Sequence, residues 1–173
     1  MAKSYSAKDV RVLKEVEHIQ LNPGMYVGDT SNPVHLIEEA LDNALDEALA
    51  GHATIIAVII DSKNNIFSVL DNGRGIPIED NTPVTISSKL FSGAKFQDKK
   101  SAYEISSGLH GVGLVAVNAL SEFYNVEIYR NKKHGGVLLP DKVKSISKYS
   151  LVNFISFPQI IWSNLCFMYT VLS

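Results

Sequence analysis

The segment from Asn32 to Gly51 constrains the fold more than any other. Ile37, Leu41, Ala44 and Ala48 recur at helical spacing and define one buried stripe. Asn32 can cap this helix, and Pro33 fits its first position, where a missing N–H costs nothing. Gly51 supplies the stop. Opposite the stripe stand Glu38, Glu39, Asp42, Asn43, Asp46 and Glu47, an acidic face.

Two strand-like runs follow. Thr54–Ile60 and Ile66–Leu70 are rich in Ile, Val and other large apolar residues, and the polar turn Asp61–Asn65 joins them. Asp71-Asn72-Gly73-Arg74-Gly75-Ile76-Pro77 then breaks regular structure. Ahead of the main helix, Val10, Leu13, Val16 and Ile19 form a weaker helical stripe, followed by the turn-rich Asn22–Asp29. Residues 79–107 read as a helix and a long loop. Gly108–Gly113 opens a third helix with Val112, Val115, Ala116 and Ala119 on its stripe, and Phe123–Arg130 alternates as a strand.

Composition narrows the class. At 173 residues, with 46% hydrophobic and 20% charged, the chain can bury the core of one domain. A single cysteine, Cys166, excludes an internal disulfide, and the N-terminus has no apolar signal region. The net charge of −2 argues against a globally basic nucleic-acid binder. Residues 1–130 carry 11 Lys+Arg against 17 Asp+Glu, whereas residues 131–173 carry 5 Lys against Asp141 alone. The division expected is therefore 1–130 as the acidic body of the domain and 131–173 as an atypical apolar tail. Leu151–Ser173 has no charged residue, but Asn153, Ser156, Pro158, Gln159, Ser163 and Asn164 interrupt it. A membrane span, a strand-like terminus and an aberrant terminus all remain open for it.

Three features could carry chemistry. There is no Walker A loop, no paired-His zinc motif and no nucleophile elbow. Glu39 and Asn43 are i, i+4 neighbours, and a carboxylate beside an amide oxygen suits a divalent cation and an activated water. The plainer alternative is a solvated acidic helix face. Asp71, at a strand end before two glycines, can accept from an exocyclic amine such as that of adenine, although an ordinary strand-exit turn has the same look. Gly108–Gly113 leads into a helix start whose free N–H groups suit phosphate, with a hinge as the alternative. Their order suggests one pocket for metal and water, adenine, and phosphates.

On these residues the chain resembles the N-terminal ATPase domain of bacterial type II topoisomerases, the family of gyrase B and its topoisomerase IV counterpart. The matching stretches are Asn22–Thr30, Glu39–His52, Asp71–Pro77 and Gly108–Ser121. The resemblance implies an α+β fold of the GHKL (Bergerat) type: a two-layer α/β sandwich, helices over a mixed sheet, here incomplete at the C-terminus. It implies ATP and Mg²⁺ as cofactors, with Glu39 as general base and Asn43 as metal ligand. Asp71 then recognises adenine, with Arg74, Gly75 and Pro77 around it and Arg130 at the pocket mouth. Lys95, Tyr103, Leu109, His110, Gly111, Val112 and Gly113 form the lid over the phosphates. Tyr5 lies in an arm that reaches the partner protomer when the domains dimerise on ATP binding.

The partners implied are DNA and a topoisomerase A subunit in the intact enzyme, with no membrane, and the location implied is cytoplasmic. The short link before the lid leans towards topoisomerase IV. Departures from the pattern are Asn22 before Pro23, Phe91–Lys95 at the lid start, Ser107 before Gly108, and a longer Lys95–Tyr103 spacing. Beyond Gly136 there is no glycine, so the family's Gly-Thr near the adenine pocket is missing, as are the transducer domain and its lysine. The competing readings are another GHKL ATPase, of mismatch-repair or chaperone type, and an inactive remnant.

Overall fold

β1 (Ile56–Asp61) and β2 (Ile66–Asp71) form an antiparallel hairpin in which Ile56 pairs with Asp71 and Asp61 with Ile66. The Asp61 carboxylate accepts the N–H groups of Lys63 and Asn64, and Asn65 takes the left-handed conformation with φ 54°. Asp and Asn suit this turn because their short side chains bond the local backbone. The structure is a computed structural model describing residues 13–92, 111–131, 133–139 and 164–172.

β3 (Ser121–Arg130), β4 (Lys133–Leu139) and β5 (Asn164–Leu172) complete a five-stranded sheet of order β1-β2-β5-β3-β4. A mixed sheet was expected, yet all four described pairings are antiparallel. The reason is topological. β2 and β3 run the same way, as the crossover through the helices requires, but β5 inserts between them and opposes both. The apolar tail thus contributes a central strand. Among the described residues no helix is long and apolar enough to cross a membrane.

The helices are α1 (Glu15–Leu21), α2 (Gly24–Val27), α3 (Val34–Leu49), α4 (Thr82–Ser88) and α5 (Gly113–Ala119). α3 lies against β1 and β2, α5 against β3, and α4 against β4. The stretch Asn22–Asp29, read as turns, contains the single-turn helix α2. α5 is buried at every position from Leu114 to Ala119, which its short stripe did not foretell. Between the layers lie Leu36, Ala40 and Ala44 of α3, Phe67 and Val69 of β2, and Tyr124, Val126 and Ile128 of β3. Each fully buried aliphatic or Phe side chain here is worth roughly 1.5–3 kcal/mol.

α3 differs from its sequence reading in two ways. Pro33 is the N-cap residue, and Asn32 caps from one position earlier, its Oδ1 accepting the Val34 N–H at 3.0 Å. The buried line runs through Leu36, Ala40 and Ala44, while Ile37 and Leu41 are only partly buried. Asp46 and Glu47, assigned to an acidic face, are buried as well. These two acids are satisfied inside the protein: among the described residues no buried side-chain N or O atom lacks a hydrogen-bond partner.

A buried polar strut ties the helices to the sheet. Ser87 Oγ of α4 bonds Tyr124 Oη of β3 at 3.0 Å, and Asn118 Nδ2 of α5 donates to the Ser87 carbonyl at 2.8 Å.

Candidate functional site

Glu39, Asn43 and Glu47 fall at i, i+4 and i+8 along α3, so they share one face over about 12 Å of helix at 1.5 Å per residue. Each end of that face meets a different glycine turn. At the N-terminal end, the Glu39 carboxylate presses on Gly113, the first residue of α5, and a Cβ there would collide with Glu39 Oε2. In the middle, Asn43 Nδ2 donates to the Glu39 carbonyl at 2.8 Å. That bond assigns the amide orientation and turns Oδ1 the other way, as an acceptor.

The C-terminal end is a dense polar knot. Asp71 ends β2 and is buried, and its Oδ1 accepts the Gly73 N–H at 2.8 Å. Glu47 Oε2 accepts the Arg74 backbone N–H at 2.8 Å and Arg74 Nε at 3.1 Å, while Oε1 accepts Arg74 Nη2 at 2.8 Å. Gly73 sits between both acids: a Cβ on it would lie 2.8 Å from Asp71 Oδ1, from Glu47 Cβ and from Glu47 Oε2. Only glycine fits. Burial pushes the Asp71 carboxyl up to about 6; the Gly73 N–H bond opposes this, and the neighbouring Glu47 charge adds to it.

The turn beyond is pinned from the sheet. Asn72 Oδ1 accepts the N–H groups of Thr54 and Ile55 at 2.8 and 2.9 Å, fastening the exit of β2 to the entry of β1. Gly75 has φ +69°, and its carbonyl accepts Arg130 Nη1 from the end of β3 at 2.5 Å. Pro77 is exposed, and Ile78 packs against Gly135 of β4.

For a cation, the described residues hold no cluster of three or more His, Cys, Asp or Glu side chains. Asn43 Oδ1 is a single hard oxygen donor. Such a site suits Mg²⁺ that takes its remaining ligands from phosphate and water.

The Histidine kinase-, DNA gyrase B-, and HSP90-like ATPase family model matches residues 28–142, more than half of the chain. The chain belongs to this ATPase family. It is 46% identical over 139 residues to the B subunit of DNA topoisomerase 4 from Bartonella bacilliformis, covering 75% of the chain and 20% of that protein. It is 40% identical over 184 residues to the B subunit of DNA topoisomerase 4 from Rickettsia prowazekii, covering 95% of the chain and 27% of that protein. Its structure is similar to the 43K ATPase domain of Thermus thermophilus gyrase B in complex with an aminocoumarin, with TM-score 0.61 and 28% identity over 93% of this chain and 40% of that one. The chain thus spans only a fifth to a quarter or so of the curated relatives it matches.

Within the ATPase fold, the structure brings together Glu39, Asn43, Gly113, Asp71, Arg74 and Gly75 along α3 and its flanking turns, with Gly111 and Val112 leading into α5. Tyr5, Lys95, Tyr103, Leu109 and His110 lie outside the described residues. Two residues of the site escaped the sequence reading. His35 Nε2 lies 3.3 Å from Glu39 Oε1 and its Nδ1 3.3 Å from Glu38 Oε2, so one imidazole steadies both acids. Its i, i+4 spacing to Glu39 was the available signal. Glu47 was counted only as part of an acidic face. Its partner stands 27 residues further on, and no local spacing points to it.

Proposed function

We propose that this chain is the nucleotide-binding part of the B subunit of a type II DNA topoisomerase, taking ATP with Mg²⁺. The observation that carries this reading is the face of α3, whose two ends meet the Asp71 turn and the start of α5. Its length is comparable to the reach of a nucleoside triphosphate from base to terminal phosphate.

Asp71 commits Oδ1 to the Gly73 N–H, and its other oxygen accepts from the exocyclic amine of adenine. Arg74, Gly75 and Pro77 border the base, and Arg130 closes the mouth through the Gly75 carbonyl. The phosphate-binding lid of this reading comprises Leu109, His110, Gly111, Val112 and Gly113, with Lys95 and Tyr103. Asn43 is the protein's ligand to Mg²⁺, which when bound neutralises charge on the phosphate oxygens. Glu39, oriented by His35 and by contact with Gly113, takes the proton from the attacking water.

In the longer protein, ATP binding pairs two such domains, with Tyr5 reaching into the partner. Hydrolysis then resets a gate through which DNA passes, with a topoisomerase A subunit as partner, in the cytoplasm. Calorimetric titration with ATP and Mg²⁺ tests the core of this reading. The unmodified chain binds and Asp71→Ala does not; equal heats in the two would remove Asp71 from the base site.

A further inference from the structure

The roles above leave Glu47 without a task, although it is only 8% exposed and lies beside a second buried acid. Stability does not explain it, because a buried ion pair is often matched or bettered by apolar residues of similar volume. Its geometry does. Glu47 belongs to α3, whereas Asp71 and Arg74 belong to β2 and the turn after it. Three hydrogen bonds from Arg74 converge on its two oxygens, and Gly73 is held between its carboxylate and that of Asp71. The Gly73–Arg74 peptide is therefore clamped from the helix side, directly after the Asn72–Gly73 peptide whose N–H donates to Asp71 Oδ1, and with the two of them the direction in which Asp71 presents its other oxygen.

We propose that Glu47 is a positioning residue for base selection: by clamping the Gly73–Arg74 backbone it aims Asp71 at the exocyclic amine of the base. This rests on the nucleotide-binding reading above and adds the origin of its preference for an amine-bearing purine. ATP carries that amine and inosine triphosphate does not, so the ratio of the two affinities reports the aim of Asp71 and little else.

The test is calorimetric titration of the full chain with ATP and with inosine triphosphate, each with Mg²⁺, recording affinity and stoichiometry. The unmodified chain prefers ATP. In Glu47→Ala the ATP affinity falls roughly tenfold or more, the size of a lost charge-assisted hydrogen bond. Inosine triphosphate affinity changes little, so the ratio falls towards one while the stoichiometry stays the same. Glu47→Gln, which keeps the shape and one acceptor oxygen, restores part of the ratio. Arg74→Ala removes the two side-chain bonds of the three, from the side that is a third exposed, and keeps the backbone one, so it gives a smaller loss of preference in the same direction if the Glu47 variants fail to fold.

An unchanged ratio, with both affinities or the stoichiometry reduced together, would show a structural role only and overturn the proposal. Failure of the unmodified chain to bind either nucleotide would instead overturn the nucleotide reading itself.

Discussion

The two ends of the α3 face are built differently. At the Asp71 end, both acids are buried, three donors from one arginine close on Glu47, and a glycine is packed where no side chain fits. At the Glu39 end, the side chain is 28% exposed, and one of its neighbours is the half-open His35. Among the described residues, the Asp71 end is the more buried and the more densely bonded of the two, and the Glu39 end is the more exposed. On the proposed reading, base recognition is built in before the ligand arrives, while the chemical end is completed by the ligand's own phosphates and cation.

The largest expected effect breaks the comparison at its open end. Glu39→Gln keeps the shape and removes the proposed base, so ATP turnover falls about 10²–10⁴-fold relative to the unmodified chain. Affinity for ATP with Mg²⁺ shifts by no more than about twofold, since the lost interaction belongs to the transition state. Steady-state turnover and calorimetry on the same preparation check both halves. A matching loss of affinity would place Glu39 in ground-state binding instead.

Asp71→Asn attacks the other end with the opposite pattern. The amide oxygen can still accept the Gly73 N–H, which leaves an N–H₂ group facing the amine of the base, donor against donor. ATP affinity falls roughly 10–100-fold, as for the loss of a charged acceptor whose partner stays unpaired.

How much of this was legible beforehand follows the same division. α3, the β1–β2 hairpin and the glycine turns were readable because apolar period and turn chemistry are local signals. The burial of Asp46 and Glu47 was not, because an acid on a helix reads as exposed until its donors are known, and Arg74 arrives only after two strands. His35 was within reach through its spacing to Glu39 but carried no signal of its own. β5 was only one of three open readings of the tail, for a different reason. An uncharged apolar run has no period that separates a strand from other fates, and its place is set by the free edges of β2 and β3.

A third, smaller effect sharpens the contrast through pH. Asp71 titrates near 6 in the folded chain against an ordinary value of 3.8. The folded state therefore holds the proton more tightly than the unfolded one. This group's contribution to stability is full below about pH 4 and is lost as pH rises through about 6, a change of about 3 kcal/mol. Binding runs the other way, because the amine needs the ionised acceptor. ATP affinity weakens by up to about tenfold per pH unit below 6. Thermal melts and titrations between pH 4.5 and 7.5 read both slopes, and Asp71→Asn flattens both. A binding profile flat through this range would mean that Asp71 is not the acceptor.

The smallest effect lies outside the face and marks its limit. Tyr124→Phe removes the hydroxyl that bonds Ser87 Oγ, leaving a serine that is 1% exposed without that partner. The loss is about 1–2 kcal/mol, read as a lower melting temperature. ATP affinity and turnover stay as they were, because Tyr124 faces the core and the strut joins α4 to β3 rather than to α3. If turnover falls with affinity unchanged, the strut also governs the chemical end, and its route is Asn118, the α5 residue that bonds the Ser87 carbonyl on the helix whose first residue carries Glu39's contact. Tyr124→Phe combined with Glu39→Gln then decides the matter: independent sites give fold-losses in turnover that multiply, and a shared route does not.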